Sequence, residues 1–194
     1  MKKFLSLFVL LSIFSIGVYA QGVSGGVKAG LNMANQTYSG NGSFNSPDFK
    51  PSLHGGGYLT VMFTEHLGFQ PEILFTGQGA KSGNTKVKMT YVAIPLLVRF
   101  NVNKLLSFHA GAQVGLLAAA KYDYGSGTQD AKDNYKSTDI GLAAGGTIDL
   151  PMKLNFTLRF IQGLSDINDT TGSDVTVKNY TLQLSVGYRL FGKN

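Results

Sequence analysis

Seven charged side chains lie inside segments that are otherwise apolar or small, where an unpaired charge would be costly. An ionised group removed from water needs an opposite charge and hydrogen bonds. We therefore predict that these groups pair in one polar network, and a gated ion path is the alternative chemistry for the same set. The three carboxylates and four cations are Lys28, Glu72, Arg99, Asp139, Asp149, Arg159 and Arg189.

The remaining candidate chemistry is sparse. His54, His66 and His109 fall in different predicted strands or turns, so they are not expected to form one metal site or a catalytic triad. An enzyme would have to rely on His54 with its sequence neighbours Asp48 and Ser52, and we do not favour that interpretation. The chain has no cysteine, which excludes disulfides, thiolate metal sites and lipid attachment at an N-terminal cysteine. We predict no catalytic residues, no cofactor and no metal ligands.

One loop, residues 166–174, has a faint resemblance to a calcium-binding sequence because it is rich in Asp and Asn. It lacks the glycine at the sixth position and the closing glutamate of an EF-hand loop. Asn and Asp are also ordinary turn residues. We predict a solvated loop.

The elements that must position the charges show a strict alternation with a period of two residues. Eight segments carry apolar side chains on one face, and the charges fall on the other, which indicates strands between two different solvents. The predicted outward set is Val27, Ala29, Leu31, Met33, Leu53, Leu59, Val61, Phe63, Leu67, Phe69, Ile73, Phe75, Val92, Ile94, Leu96, Val98, Phe100, Leu106, Phe108, Val114, Leu116, Ile140, Leu142, Ile148, Leu150, Leu154, Phe156, Leu158, Phe160, Tyr180, Leu182, Leu184, Val186, Tyr188 and Leu190.

The connections between these segments alternate in length. Long or medium polar connections are predicted at 34–51, 80–86, 122–136 and 166–177, and tight ones at 64–66, 101–104 and 151–153. Outer-membrane barrels have long external loops and short periplasmic turns. The sequence therefore predicts an all-β, eight-stranded antiparallel up-and-down transmembrane β-barrel with both chain ends at the periplasmic side.

Parity alone does not decide which face points outward, since a soluble lipocalin-like barrel directs its apolar face toward a small-molecule ligand. The loop asymmetry, the many glycines on the charged face and a belt of rings on the apolar face favour the membrane barrel. Rings gather at membrane interfaces. The predicted periplasmic aromatic belt, near the short-turn ends, is Phe63, Phe69, Phe100, Phe108, Phe156 and Tyr188.

Two prolines, Pro71 and Pro95, fall inside predicted strands of a barrel that has no free edge to accept them. The outward parity also shifts, from Val87, Met89 and Tyr91 to Val92, Ile94 and Leu96. We predict a β-bulge near residues 91–92 that accommodates both features. The alternative is that Val87 and Met89 already belong to the loop.

Residues 1–20 are predicted to be a secretory signal peptide. Lys2 and Lys3 precede a short apolar core, and small residues allow cleavage after Ala20. The barrel domain is then 21–194, and removal of both lysines lowers the formal net charge from +6 to +4. Its basic character suits anionic outer-leaflet headgroups better than nucleic acid, which an exported chain rarely meets.

Several motifs resemble the strand signatures of the PorT-like outer-membrane β-barrel proteins, over essentially the whole predicted mature chain. The most specific are Phe69-Gln70-Pro71-Glu72 in the third strand and Ile94-Pro95-Leu96-Leu97 in the fourth. Others are Gly111-Ala112-Gln113-Val114-Gly115, Asp139-Ile140-Gly141-Leu142, Gly163-Leu164-Ser165-Asp166 and Gly187-Tyr188-Arg189-Leu190. Where the family commonly has an acidic residue facing the lumen, this chain has Ala93.

The resemblance implies an eight-stranded barrel in the bacterial outer membrane, and the namesake of the family serves a protein-secretion system. From the residues we expect a non-enzymatic barrel with a plugged polar lumen and a structural, adhesive or other envelope role. A narrow pore or a secretion accessory is the alternative, with secretion-system components as possible partners. The expected partners are outer-membrane lipid and lipopolysaccharide, and the barrel-assembly machinery through the terminal segment 185–191. No nucleic acid is expected.

Overall fold

The computed structural model describes residues 22–40, 48–170 and 174–192, so the predicted signal peptide lies outside the described residues. Two 3-10 turns occupy Lys132–Asn134 and Pro151–Lys153. The strands are β1 (Gly22–Ser39), β2 (Lys50–Met62), β3 (Leu67–Gln78), β4 (Lys81–Ser82), β5 (Thr85–Asn101), β6 (Leu106–Asp123), β7 (Thr128–Asp130), β8 (Thr138–Asp149), β9 (Leu154–Gly163) and β10 (Thr176–Phe191). No helix in these ranges is long and apolar enough to cross a membrane.

The eight long strands form a closed antiparallel ring in which each strand pairs with its sequence neighbours, apart from the short β4 and β7. β1 pairs with β10 and closes the ring, with Gly26 opposite Arg189 and Ser39 opposite Thr176. Closure removes every free edge among the long strands. The predicted all-β, eight-stranded antiparallel up-and-down barrel is therefore confirmed.

The two faces of the ring differ as the alternation predicts. On three adjacent strands, Leu31, Leu184 and Leu158 lie directly opposite one another and are 56%, 52% and 54% exposed. Their chain neighbours Gln183 and Arg159 point inward and are 1% and 0% exposed. Every member of the predicted outward set is exposed or half-buried, so the apolar face is the outer surface.

Gly56, on the inward face, lets neighbouring strand backbones come close. A Cβ added to Gly56, which lies between β1 and β3, would stand 2.0 Å from the carbonyl oxygen of Ile73. At the adjacent outward-facing Gly57 the nearest heavy atom would be 3.6 Å away, which is ordinary contact. A side chain at Gly56 would therefore require the neighbouring strand to move, whereas Gly57 has room for one.

A β-bulge is present at the predicted position along the barrel axis, but it lies in β6 and not in β5. The register between β5 and β6 shifts at Thr90 and Tyr91, and the extra residue is Ala118 of β6. The predicted change of parity in β5 is wrong, because Met89 and Tyr91 point inward and are buried without any break in alternation. Apolar side chains at this height pack inside the barrel as well as outside it.

The prolines are accommodated by gaps in the ladder. Between β3 and β5, the pairing skips from Pro71 opposite Leu96 to Leu74 opposite Ala93, and Pro95 lies in that gap. Between β2 and β3 it skips from Glu72 to Phe69, with Pro71 in the gap. Proline has no N–H to donate. The gaps in the backbone hydrogen-bond ladder therefore lie at positions where such a bond could not form.

The predicted tight connections are confirmed, and two strands run further toward the long-loop end than predicted. β1 continues to Ser39 and β6 to Asp123, past the predicted starts of the connections at residues 34 and 122. In the tight turn before β9, Met152 and Lys153 have φ of 67° and 66°, the left-handed conformation. β1 begins and β10 ends at the short-turn end of the barrel, as predicted.

Candidate functional site in the barrel interior

A buried ion cluster crosses the lumen. Glu72 of β3 accepts hydrogen bonds from Lys28 Nζ of β1 at 2.9 Å and from both terminal nitrogens of Arg159 of β9, at 2.9 Å to Oε2 and 2.7 Å to Oε1. The Arg159 and Glu72 side chains are fully buried. Because β3 and β9 are not neighbours in the ring, this bidentate pair joins opposite walls of the barrel.

Neutral side chains complete the coordination of this cluster. Gln70 Nε2 donates to Glu72 Oε1 at 2.7 Å, and Gln183 Oε1 accepts from Arg159 Nη1 at 3.4 Å. Arg159 Nε donates to His109 Nε2 at 3.1 Å. Because that ring nitrogen accepts a hydrogen bond, His109 is neutral with its proton on Nδ1. The glutamate thus accepts four hydrogen bonds and the guanidinium donates four, all of them with protein groups.

A second ion pair lies toward the short-turn end and is linked to the first. Arg99 Nη2 pairs with Asp149 Oδ2, and Arg99 Nε donates to Asn101 Oδ1 at 2.9 Å. Arg99 Nη1 donates to Gln70 Oε1 at 3.1 Å. Gln70 therefore bridges the two ion pairs, and the structure brings five of the seven predicted residues into one network.

Asp139 and Arg189 lie outside that network. Asp139 accepts hydrogen bonds from Ser165 Oγ at 3.0 Å and Asn179 Nδ2 at 2.8 Å, and no cation of the described chain pairs with it. Arg189 is buried but has no carboxylate partner within the described ranges. The prediction that all seven charges pair with one another is wrong for these two.

An apolar cluster, which the sequence did not predict, lies inside the barrel at the long-loop end, above the ion pairs. We call it the apolar cap. Two connections fold over the barrel mouth: Ala131 N donates to Ala120 O at 3.0 Å, and Lys136 N donates to Ile167 O at 2.8 Å. The buried members of the cap are Met89, Tyr91, Leu117, Ala120, Ala131, Ile167 and Val177.

Part of the loop after β9 belongs to this cap. Ile167 is fully buried, so the prediction of a solvated loop is wrong at this position. Asp166 Oδ1 accepts from the backbone of Asn168 and Val177 at 3.0 and 2.8 Å. Burial acts to raise the pKa of Asp166, but these N–H donors and the Lys136 ammonium outweigh it and hold the pKa below its usual range. The carboxylate is used to fix a turn.

The histidines lie apart from one another. His54 Nε2 shares a hydrogen bond with Ser185 Oγ at 2.8 Å inside the barrel, and His66 is exposed in a short turn, where its ring stacks 6.0 Å from that of Phe100. Within the described ranges, no three His, Cys, Asp or Glu side chains are grouped as metal ligands. The interior is dominated by ion pairs and side-chain hydrogen bonds. Among the described residues, four buried side-chain atoms lack a hydrogen-bond partner: His54 Nδ1, Gln78 Oε1, Ser107 Oγ and Gln113 Oε1.

The predicted aromatic belt lies on the outer surface beside the short turns. Phe100 and Phe108 are directly opposite each other on β5 and β6, and Tyr188 is opposite Leu154 on β10 and β9. Phe69 is half-buried and the other five rings are exposed. The members are Phe63, Phe69, Phe100, Phe108, Phe156 and Tyr188.

The buried ion pairs of this interior differ from the lining of an apolar ligand cavity. A lipocalin-like binder would direct its apolar side chains inward, whereas the largest fully buried side chain here is that of Arg159, paired with Glu72. The soluble small-molecule-binder alternative is therefore wrong.

Comparisons with known proteins place the fold. The sequence model of the outer membrane protein beta-barrel domain matches residues 6–189. Neisserial surface protein A is 16% identical with a TM-score of 0.58, over 87% of this chain and 99% of its own. The attachment invasion locus protein Ail of Yersinia pestis is 16% identical with a TM-score of 0.51, over 86% and 98%. No curated protein sequence matches the chain.

These matches support a bacterial outer-membrane β-barrel, and they do not single out the PorT-like subgroup. At 16% identity the solved structures show the fold alone. The family match spans nearly the whole chain. On that basis the chain belongs to the outer membrane protein β-barrel domain family.

Proposed function

We propose that this protein is a closed, non-enzymatic barrel whose polar long loops serve a structural or adhesive role at the cell envelope. The observation that carries the proposal is the Glu72–Arg159 pair, which joins opposite walls of the lumen with both side chains fully buried. A water-filled ion path needs a continuous polar route through the barrel. A fully buried ion pair across the centre leaves no such route at that height.

The apolar cap adds a second closure. Ile167 and Tyr91 are fully buried at the long-loop end, above the ion cluster. An eight-stranded barrel is just wide enough for its own side chains to fill. The lumen is thus a plug in two layers, ionic in the middle and apolar at the long-loop end.

The cellular setting completes the proposal. Residues 1–20 direct export and are removed after Ala20, which leaves the barrel domain 21–194. β10 carries alternating apolar residues up to Phe191, the pattern that we expect the barrel-assembly machinery to recognise. The outer surface contacts outer-membrane lipid and lipopolysaccharide. The Pro-Glu and Ile-Pro-Leu-Leu motifs further support a PorT-like relationship, and a role as a secretion accessory is the second candidate.

Planar-bilayer recording tests the closed lumen. Purified protein, shown to be folded and inserted by heat-modifiable mobility on a gel, is expected to give no steady unitary currents, because ions cannot pass the Glu72–Arg159 pair or the apolar cap. Reproducible unitary steps from the folded protein would contradict the plug and support the narrow-pore alternative.

A further inference from the structure

Four lysines are grouped on the outer surface where the strands leave the apolar face at the long-loop end. Lys81 of β4 is directly opposite Lys86 of β5, and Lys88 of β5 is directly opposite Lys121 of β6. We call these four residues the lysine array. Like charges directly opposite in a sheet destabilise it. The chain places two such oppositions side by side, so this region bears a cost in the absence of a ligand.

Nearby carboxylates compensate only part of this charge. Asp123 pairs with Lys88 at 2.6 Å, and Asp130 of β7 is opposite Lys121 in the register. Among the described residues, Lys81, Lys86 and Lys121 have no ion-pair partner. Asp48 is paired with Lys81 in an isolated β-bridge. Four lysines therefore face three aspartates, and the array keeps an excess of one positive charge.

The array continues the surface that faces lipid. In β5 the outward positions run from Lys86 and Lys88 through Thr90 to Val92 and the apolar residues beyond. Lys88 stands about 13 Å along the strand from Val92, at the rise of an extended chain. Lysine side chains at such a depth extend their ammonium groups to the headgroup layer while their stems cover apolar surface.

We propose that the lysine array binds the phosphate groups of a phosphorylated outer-leaflet glycolipid. Opposed side chains start about 5 Å apart, so two ammonium groups can converge on one phosphate. The two opposed pairs then provide two phosphate positions. A ligand that itself lies in the bilayer fits this location because the array directly adjoins the apolar surface.

This inference rests on the proposed function, since it needs the long-loop end to lie at the outer leaflet. The test compares wild-type protein with Lys88→Gln/Lys121→Gln in vesicles of phosphatidylcholine, of phosphatidylcholine with phosphorylated lipid A, and of phosphatidylcholine with the same glycolipid after chemical removal of its phosphates. The matched control is Lys104→Gln/Lys153→Gln, two exposed lysines in the turns at the opposite end.

Phosphorylated lipid A is expected to raise the melting temperature of the wild type and of the turn control, but not of Lys88→Gln/Lys121→Gln. In phosphatidylcholine alone that array variant should melt close to the wild-type temperature, because the relief of two opposed like charges offsets the loss of the exposed Lys88–Asp123 ion pair. Native mass spectrometry should show about thirtyfold weaker retention of the lipid by the array variant, from the loss of two interfacial lysines.

An equal rise in melting temperature for all three proteins would overturn the proposal. A rise of the same size with inorganic phosphate in phosphatidylcholine vesicles would overturn the assignment to a lipid. Both outcomes are read on inserted protein, so they are distinct from a failure of the proposed function, which would show as unitary currents or as failure to insert into vesicles.

Discussion

Replacing Glu72 by alanine is expected to lower the free energy of unfolding by about 3–5 kcal/mol, the usual cost of breaking a buried ion pair. The reason is that Lys28 and Arg159 both donate to this one carboxylate, and its removal leaves two buried cations without a counter-charge. Reversible urea unfolding in lipid vesicles measures the change.

Two controls make the result specific to the buried charge. Glu65→Ala removes an exposed carboxylate from the turn between β2 and β3 and should change the free energy of unfolding very little. Glu72→Gln keeps the shape but not the charge, and should lose nearly as much stability as Glu72→Ala. An unchanged free energy of unfolding for both Glu72 variants would show that the cluster does not support the barrel.

Replacing Leu184 by arginine is expected to cost about 2–4 kcal/mol, the penalty for a cation on the lipid face near the bilayer midplane. Leu184 is half-way along the outward positions of β10 and is flanked by Leu31 and Leu158 on the adjacent strands. Its side chain is surrounded only by other exposed apolar groups, so lipid is the medium that the arginine would displace. The same urea titration in vesicles measures this cost.

The depth control for that experiment is Leu164→Arg. Leu164 is also exposed, but it lies just beyond the end of β9, where a cation can reach the headgroup layer. We expect a cost of about 0–1 kcal/mol there. Equal costs at Leu184 and Leu164 would mean that the midpoint of the barrel is not embedded in hydrocarbon.

The fold is predictable from this sequence because alternate residues face two different environments, the outer surface and the lumen, and their side chains differ in polarity accordingly. Leu158 and Arg159 illustrate the point: one side chain is exposed on the outer surface and its neighbour is fully buried in the lumen. A soluble strand with one wet face gives the same period, so the loop asymmetry and the aromatic belt were needed to choose the direction.

The pairing of lumen charges was less predictable, because it depends on which strands face each other across the barrel and at what stagger. Glu72 reaches Arg159 on a strand that is not its neighbour, and the sequence does not specify that register. Arg189 follows the same alternation and still finds no carboxylate among the described residues. The alternation therefore predicts on which face of the sheet a residue lies, but not which residue it pairs with.

The apolar cap was missed for a different reason. Ile167 stands alone in a run of Asp, Asn and Thr, a composition that indicates a solvated loop. Met89 and Tyr91 lie on the inward face of β5, although the sequence pattern predicted that they belong to the outward parity. These two anomalies meet in the cap, where the connections cover the barrel mouth and make an apolar interior favourable.

The most direct test of the membrane barrel is the accessibility of spin labels along β10. The chain has no cysteine, so single cysteines at Leu182, Leu184 and Val186 can each carry a nitroxide without background, with Asn103 in a short turn as the aqueous control. In vesicles, the three β10 labels should collide frequently with oxygen and rarely with a water-soluble nickel complex, and the turn label should show the reverse. Labels at the three β10 positions that collide mainly with the nickel complex would contradict contact between this face and lipid.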